Sequence, residues 1–210
     1  MKSQRSILVS RFALGSFSSV LVFVILVLVL HVLNPQMNPL SVPISLYVAG
    51  HEGILMTIAF IARGLGELLL VIGLARGTTR ESRSWAGLVF LAIATACSFL
   101  VAIFPGIAGY FVPGGFQNTG FLLIHGLSAL LGFGSLAIAA LFWSQHLRKD
   151  PRWRPSTPVS LILGLLILLS LVGFLVLPQS VMGLTERVLE VFIVGWLGFV
   201  AWKLFTLRSS

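Results

Sequence analysis

The residues able to do chemistry in this chain are nine ionisable side chains set inside or at the ends of apolar stretches: His31, His51, Glu52, Arg63, Glu67, His125, Glu186, Arg187 and Glu190. An ionisable group in hydrocarbon costs several kcal/mol unless paired, so such groups face a protein interior or a wet cavity. At about 100° per residue, Glu52, Arg63 and Glu67 fall within roughly 60° of one another on a helix. Arg63 and Glu67 stand four residues apart and can neutralise each other. Arg63 can equally pair with Glu186 or Glu190 from another helix, and a buried Arg with shared partners can receive an anionic ligand group. Glu186 and Glu190 are one turn apart, with Arg187 beside them. His125 opens a stripe of small and polar residues, Ser128, Gly132, Ser135 and Ala139, of the kind that lets membrane helices approach closely. It reads as a hydrogen-bonded core histidine or, in an enzyme, as an acid–base partner of Glu190. His31 and His51, at helix ends, are expected near the surface, and His146 is assigned no role.

Other chemistries find less material. No H-x-x-x-H or H-E-x-x-H pair falls on one helix, and HEG at 51–53 has no second His. No cofactor or metal site is therefore expected; haem or a divalent ion at the outer His/Glu cluster is the alternative. Ser45 and Ser128 have no nucleophile signature, and no G-x-S-x-G occurs. Cys97, the single cysteine, excludes an intramolecular disulfide and reads as packing.

Six apolar stretches must position these groups, at about 12–33, 52–75, 86–104, 119–143, 159–177 and 184–205. Each is long enough to cross a bilayer. The fold class is thus all-α: a single polytopic membrane domain of six transmembrane helices in antiparallel hairpins over residues 1–210. The chain is 57% hydrophobic and 10% charged, against about 25% charged in a soluble domain. Basic residues alternate between the gaps. Lys2, Arg5 and Arg11, then Arg76, Arg80 and Arg83, then Arg148, Lys149, Arg152 and Arg154, then Lys203 and Arg208 mark one side. The gaps 34–51, 105–119 and 178–183 carry none. By the positive-inside rule both termini are cytoplasmic and the first helix is retained. The net charge of +8 then sets topology and meets anionic lipid head groups rather than nucleic acid. Trp85, Trp143, Trp153 and Trp202 fall near cytoplasmic helix ends, as interfacial anchors do.

Helices 2, 4 and 6 hold nearly all the ionisable groups, so they are expected to line the interior while helices 1, 3 and 5 shield it. His31, His51, Glu52, His125, Glu186, Arg187 and Glu190 lie in the outer third. Arg63 lies about 16 Å below Glu52 at 1.5 Å per residue. In the outer loops, ISLYVAG (44–50) is expected to form a short interfacial helix. The Gly/Pro-rich segment 105–119 is either a lid or a membrane-hugging connection.

HVLNPQMNPLSVPISLYVAG (31–50), IFPG (103–106), LLIHGLSAL (122–130), DPRWR (150–154) and GLTER (183–187) together resemble the six-helix prokaryotic membrane proteins grouped as DUF998, related to the Frag1/DRAM/Sfk1 group. Members often carry an acid after the FP of the third helix and within the ISLYVAG segment, where this chain has Gly106 and Leu46. The resemblance implies the topology and a prokaryotic cytoplasmic membrane, and it implies no established activity. The expected function is non-enzymatic binding of a lipid-like or amphipathic ligand, or of a partner membrane subunit, at an outward-facing polar site between helices 2, 4 and 6. There Arg63 and Arg187 would meet anionic groups. The alternatives are an intramembrane enzyme acting on a lipid or isoprenoid, an accessory subunit of a respiratory or photosynthetic complex, and a small proton-coupled transporter. Membrane lipids and other membrane subunits are the expected partners.

Overall fold

A computed structural model of the chain describes residues 2–104 and 119–207, with the backbone alone at Lys2, Ser3, Arg5 and Thr119. The segment expected to be a lid or a connection lies almost wholly outside the described residues. Those residues form six long helices and no strand: α1 (Lys2–Leu33), α2 (Ile54–Gly77), α3 (Trp85–Ile103), α4 (Thr119–Leu147), α5 (Thr157–Val176) and α6 (Met182–Thr206). All six are long and apolar enough to cross a membrane.

Local chemistry explains the boundaries. Pro35 and Pro178 follow the ends of α1 and α5, where they cannot continue a helix. Ser84 caps α3 by accepting from the Gly87 amide at 3.0 Å, an arrangement worth about 1 kcal/mol. Pro158 sits in the first turn of α5, where its missing N–H costs nothing. The main departure is α1, which starts some ten residues before the expected position. Its basic and polar lead, KSQRS, contains good helix formers and no breaker.

Each helix packs against its neighbours in sequence, and α1 closes the ring against α6; α2 and α4 also touch α6 across the centre. The even helices do meet inside. The expectation that α3 merely shields them needs correcting, because half of its span is buried, as in α2, against 22% in α5. Small residues explain this. Gly132 of α4 lies so close to Cys97 that an added Cβ would stand 3.1 Å from the Cys97 Cβ, and Gly64 of α2 abuts Phe99.

The alternating helix directions give the bundle two ends. The basic end holds the start of α1, the α2–α3 and α4–α5 turns and the end of α6; the far end holds residues 34–53. Two apolar cores stack between them. One, toward the basic end, contains Trp143, Trp153, Trp196 and Leu204. The other, toward the far end, contains Phe23, Leu30, Tyr47 and Phe60. Trp85 and Trp202 are exposed at their helix ends, but Trp143 and Trp153 are fully buried. Position in sequence does not separate an interfacial indole from a core one.

Candidate functional site

The two cores meet at Arg63. Its guanidinium lies 5.7 Å from the ring of Phe23 on one side and 5.7 Å from that of Phe133 on the other. Such aromatic faces attract a cation where water is excluded. Arg63 Nε donates to Glu67 Oε1 at 3.0 Å, one turn along α2, and Nη1 donates to Glu190 Oε1 on α6. Ser98 of α3 donates to the second oxygen of Glu67 at 2.9 Å. Glu67 is thereby satisfied on both oxygens. Glu190 is not: its Oε2 is buried with no hydrogen-bond partner. Arg63 is 4% exposed, Glu67 0% and Glu190 5%, so all three lie out of water.

Nearer the far end, Glu186 and Arg187 hold the 34–53 segment onto α6. Glu186 is buried, and its Oε2 accepts from the Ile44 amide. That amide opens a short 3-10 helix, Ile44–Ala49, whose own first residues provide no side-chain cap. A carboxylate at such a terminus satisfies the orphan donor and the local dipole together. The expected short helix therefore exists, and α6 supplies its cap. Arg187 spends its fork on the same segment. Nη1 donates to the carbonyls of Pro39, Val42 and Gly183, Nη2 donates to the Tyr47 hydroxyl, and Nε donates to His31 Nε2 at 2.9 Å. His31 Nδ1 in turn faces the Val27 carbonyl at 2.7 Å. Gly183 allows the close approach, since a Cβ there would collide with the Val42 and Pro39 carbonyls.

Asn34 closes the segment at its base. It is fully buried, donates to the carbonyls of Leu30 and His51, and accepts from the His51 amide at 2.6 Å.

His125 is buried on α4, with Nδ1 2.9 Å from the Phe104 carbonyl. A carbonyl only accepts, so Nδ1 carries the proton. With Ser98, Ser128, Arg63 and Glu186 it lines a cavity of about 20 Å³, room for roughly one water molecule.

Six of the nine expected site residues therefore gather near the Arg63 level or just beyond it: Arg63, Glu67, His125, Glu186, Arg187 and Glu190. His31 joins them through Arg187. His51 and Glu52 do not. Their side chains are 70% and 55% exposed, 3.9 Å apart, and Glu52 has a φ of 56°. It lies in the left-handed turn before α2, so the helical arithmetic that aligned it with Arg63 has no helix to act on. Among the described residues, no three His, Cys, Asp or Glu are grouped to hold a metal ion. Asn34, Tyr47 and Ser98 are functional partners that the pattern of acidic, basic and histidine residues does not reveal. The signal available for Ser98 was that it and Thr95 are the two hydroxyls in an otherwise apolar span.

The family described as a protein of unknown function (DUF998) matches residues 18–203. The chain belongs to the DUF998 family. That stretch runs from within α1 to near the end of α6, so it takes in every residue of the charged site. Curated proteins and solved structures give no match. This DUF998 chain is a multi-pass membrane protein with a buried ion cluster and no established activity.

Proposed function

We propose that this DUF998 protein is a proton-coupled membrane protein, taking up a proton at the polar site where α2, α3, α4 and α6 meet. One observation carries the reading: the cluster holds an uncompensated carboxylate. Glu67, Glu186 and Glu190 bring three negative charges; Arg63 and Arg187 bring two positive ones, and Glu190 Oε2 has no donor. An isolated charge in a membrane interior is costly, and a proton on the carboxyl cluster removes it. The remaining titratable groups around it are His31 of α1, Tyr47 of the Ile44–Ala49 helix, Cys97 of α3 and His125 of α4. The water-sized cavity supports a ligand of this scale more than an amphipathic molecule or lipid head group. The same volume argues against an anionic ligand on Arg63, which already donates to Glu67 and Glu190, and the donors of Arg187 are taken by His31, Tyr47 and the carbonyls of Pro39, Val42 and Gly183. A prokaryotic cytoplasmic membrane with the basic end inside fits the charge pattern.

Coupling follows from the position of Glu186. It lies one turn from Glu190 on α6 and caps Ile44–Ala49. A proton on Glu186 weakens the cap and loosens the far-end segment; its loss, or its transfer to Glu190, tightens it.

Infrared difference spectra of the purified protein in nanodiscs, recorded across a pH titration, test the reading. A carboxylic-acid C=O band that titrates in the wild type and disappears in Glu190→Gln or Glu186→Gln is the expected result. A spectrum with carboxylate bands only, unchanged by either substitution, overturns it.

A further inference from the structure

A broad concavity lies at the opposite end of the molecule. It is a groove of about 960 Å³ between the start of α1, the α2–α3 turn, the α4–α5 turn and the end of α6. Four arginines line it: Arg76, Arg80, Arg83 and Arg152. They differ in commitment. Arg152 is held by Asp150 through two side-chain hydrogen bonds at 3.1 and 2.7 Å. Arg76 stacks 5.2 Å from the Phe12 ring. Arg83 lies 5.6 Å from the Trp85 ring and donates Nη2 to the Thr78 carbonyl at 3.4 Å, while its Nε is buried without a partner. Arg80 is exposed at the turn. Asp150 and Glu81 are the acids near this turn region, and Asp150 is spent on Arg152. The groove therefore keeps a surplus of positive charge and a guanidinium N–H with nothing to donate to.

Its apolar lining is Trp85, which is exposed, and Leu207, which is half-buried, together with Val9 and Leu204, which are buried. Val9 and Leu204 belong to candidate membrane spans, and Trp85 opens another. The indole of Trp85 is 67% exposed, as suits a side chain at a bilayer–water boundary. A cationic zone thus sits directly on the ends of apolar spans. A freely soluble anion would use the first zone and leave Trp85 and Leu207 bare; a phosphate-bearing amphiphile uses both.

We infer that this groove is a binding site for the phosphate head group of an anionic phospholipid, with Arg80 and Arg83 as its principal donors and the Trp85 wall facing the acyl chains. A guanidinium fork matches phosphate oxygens geometrically, which an ammonium does not. The site is independent of the charge cluster between the helices, and either can fail without the other.

Native mass spectrometry with equimolar phosphatidylglycerol and phosphatidylcholine tests it. The wild type is expected to retain one phosphatidylglycerol selectively. At about 1 kcal/mol per basic residue near a membrane surface, Arg80→Ala with Arg83→Ala should weaken that retention about thirtyfold. The charge-matched pair Arg148→Ala with Arg154→Ala lies at the same end but outside the groove, and should change it little. Equal loss in both pairs would mean diffuse attraction to anionic lipid and would overturn the site. Full displacement of the lipid by glycerol phosphate, with glycerol phosphate itself retained, would make the occupant a soluble phosphate compound and overturn the lipid assignment. If the double variant elutes as aggregate, Arg80→Ala alone serves, since Arg80 is exposed and its truncation leaves the core intact. It should show about a fivefold loss, and an unchanged retention again overturns the proposal.

Discussion

Two arginine-rich regions of one small bundle use the same side chain in opposite ways. Arg63 is enclosed: two phenyl rings cover it, two carboxylates take its donors, and the adjoining cavity is water-sized. Arg80 and Arg83 border a groove nearly fifty times larger, about 960 against 20 Å³, at the ends of the membrane spans. Depth decides the difference. In the membrane interior a guanidinium must find partners within the protein, so its chemistry is spent on holding helices together and balancing carboxylates. At the boundary, water and head groups compete for it, and its donors can stay available for a ligand. A count of basic residues along the sequence gives both regions equal weight; their surroundings do not.

The largest expected effect breaks the enclosed region. Arg63→Leu leaves Glu67 and Glu190 buried without their cation, and removing one partner of a buried ion pair costs about 3–5 kcal/mol. Thermal unfolding in detergent should show a large loss of stability. The variant that also carries Glu67→Gln and Glu190→Gln should recover much of it, because no orphan charge remains. An Arg63→Leu protein as stable as the wild type would mean that the cluster is solvated, and the contrast with the groove would fall.

Much of this contrast was legible in the sequence, and its limits have physical causes. Hydropathy and the spacing of basic gaps place all six spans, because a bilayer tolerates few alternatives. The pairing of Arg63 with Glu67 follows from a four-residue spacing within one helix. Its second partner depends on which helices meet, and Glu190 and Glu186 are equivalent candidates until α6 is placed against α2. Glu186 then turns out to serve a backbone amide, which no side-chain pattern announces. Glu52 misled because helical periodicity was extended across a turn. The groove was invisible as a site for a related reason: its four arginines come from the end of α2 and two separate turns, and its apolar lining from the ends of α1, α3 and α6, so only assembly brings them together. The same arginines were legible only as topology signals.

A smaller effect sharpens the description of the enclosed region's outer edge. Glu186→Ala removes the acceptor from the Ile44 amide and should cost about 1–3 kcal/mol locally, the penalty of an unsatisfied buried donor. Hydrogen exchange should rise at residues 44–49 while the amides of α2 and α3 near Arg63 stay protected. Glu186→Gln keeps an acceptor and should lose less. Faster exchange throughout the bundle would show that the far-end segment and the ion cluster are one cooperative unit rather than a capped segment resting on a rigid core.

The smallest effect belongs to the basic end. Asp150 is buried and accepts from Arg152 through the side chain and the backbone amide. The hydrogen bonds from the Arg152 side chain hold its carboxyl below the ordinary aspartate range, although burial opposes them. A carboxyl lowered on folding contributes stability that is fully present above its unfolded value and is lost as pH falls through its folded value. The Arg152 side chain is 47% exposed, so screening limits the pair to about 0.5–1 kcal/mol. The stability difference between wild type and Asp150→Asn should therefore be small at neutral pH and shrink further in acid, below the normal aspartate range. It should also diminish with added salt, whereas the Arg63→Leu loss should not. A salt-sensitive Arg63 effect would place both regions in contact with solvent and erase the distinction that depth makes between them.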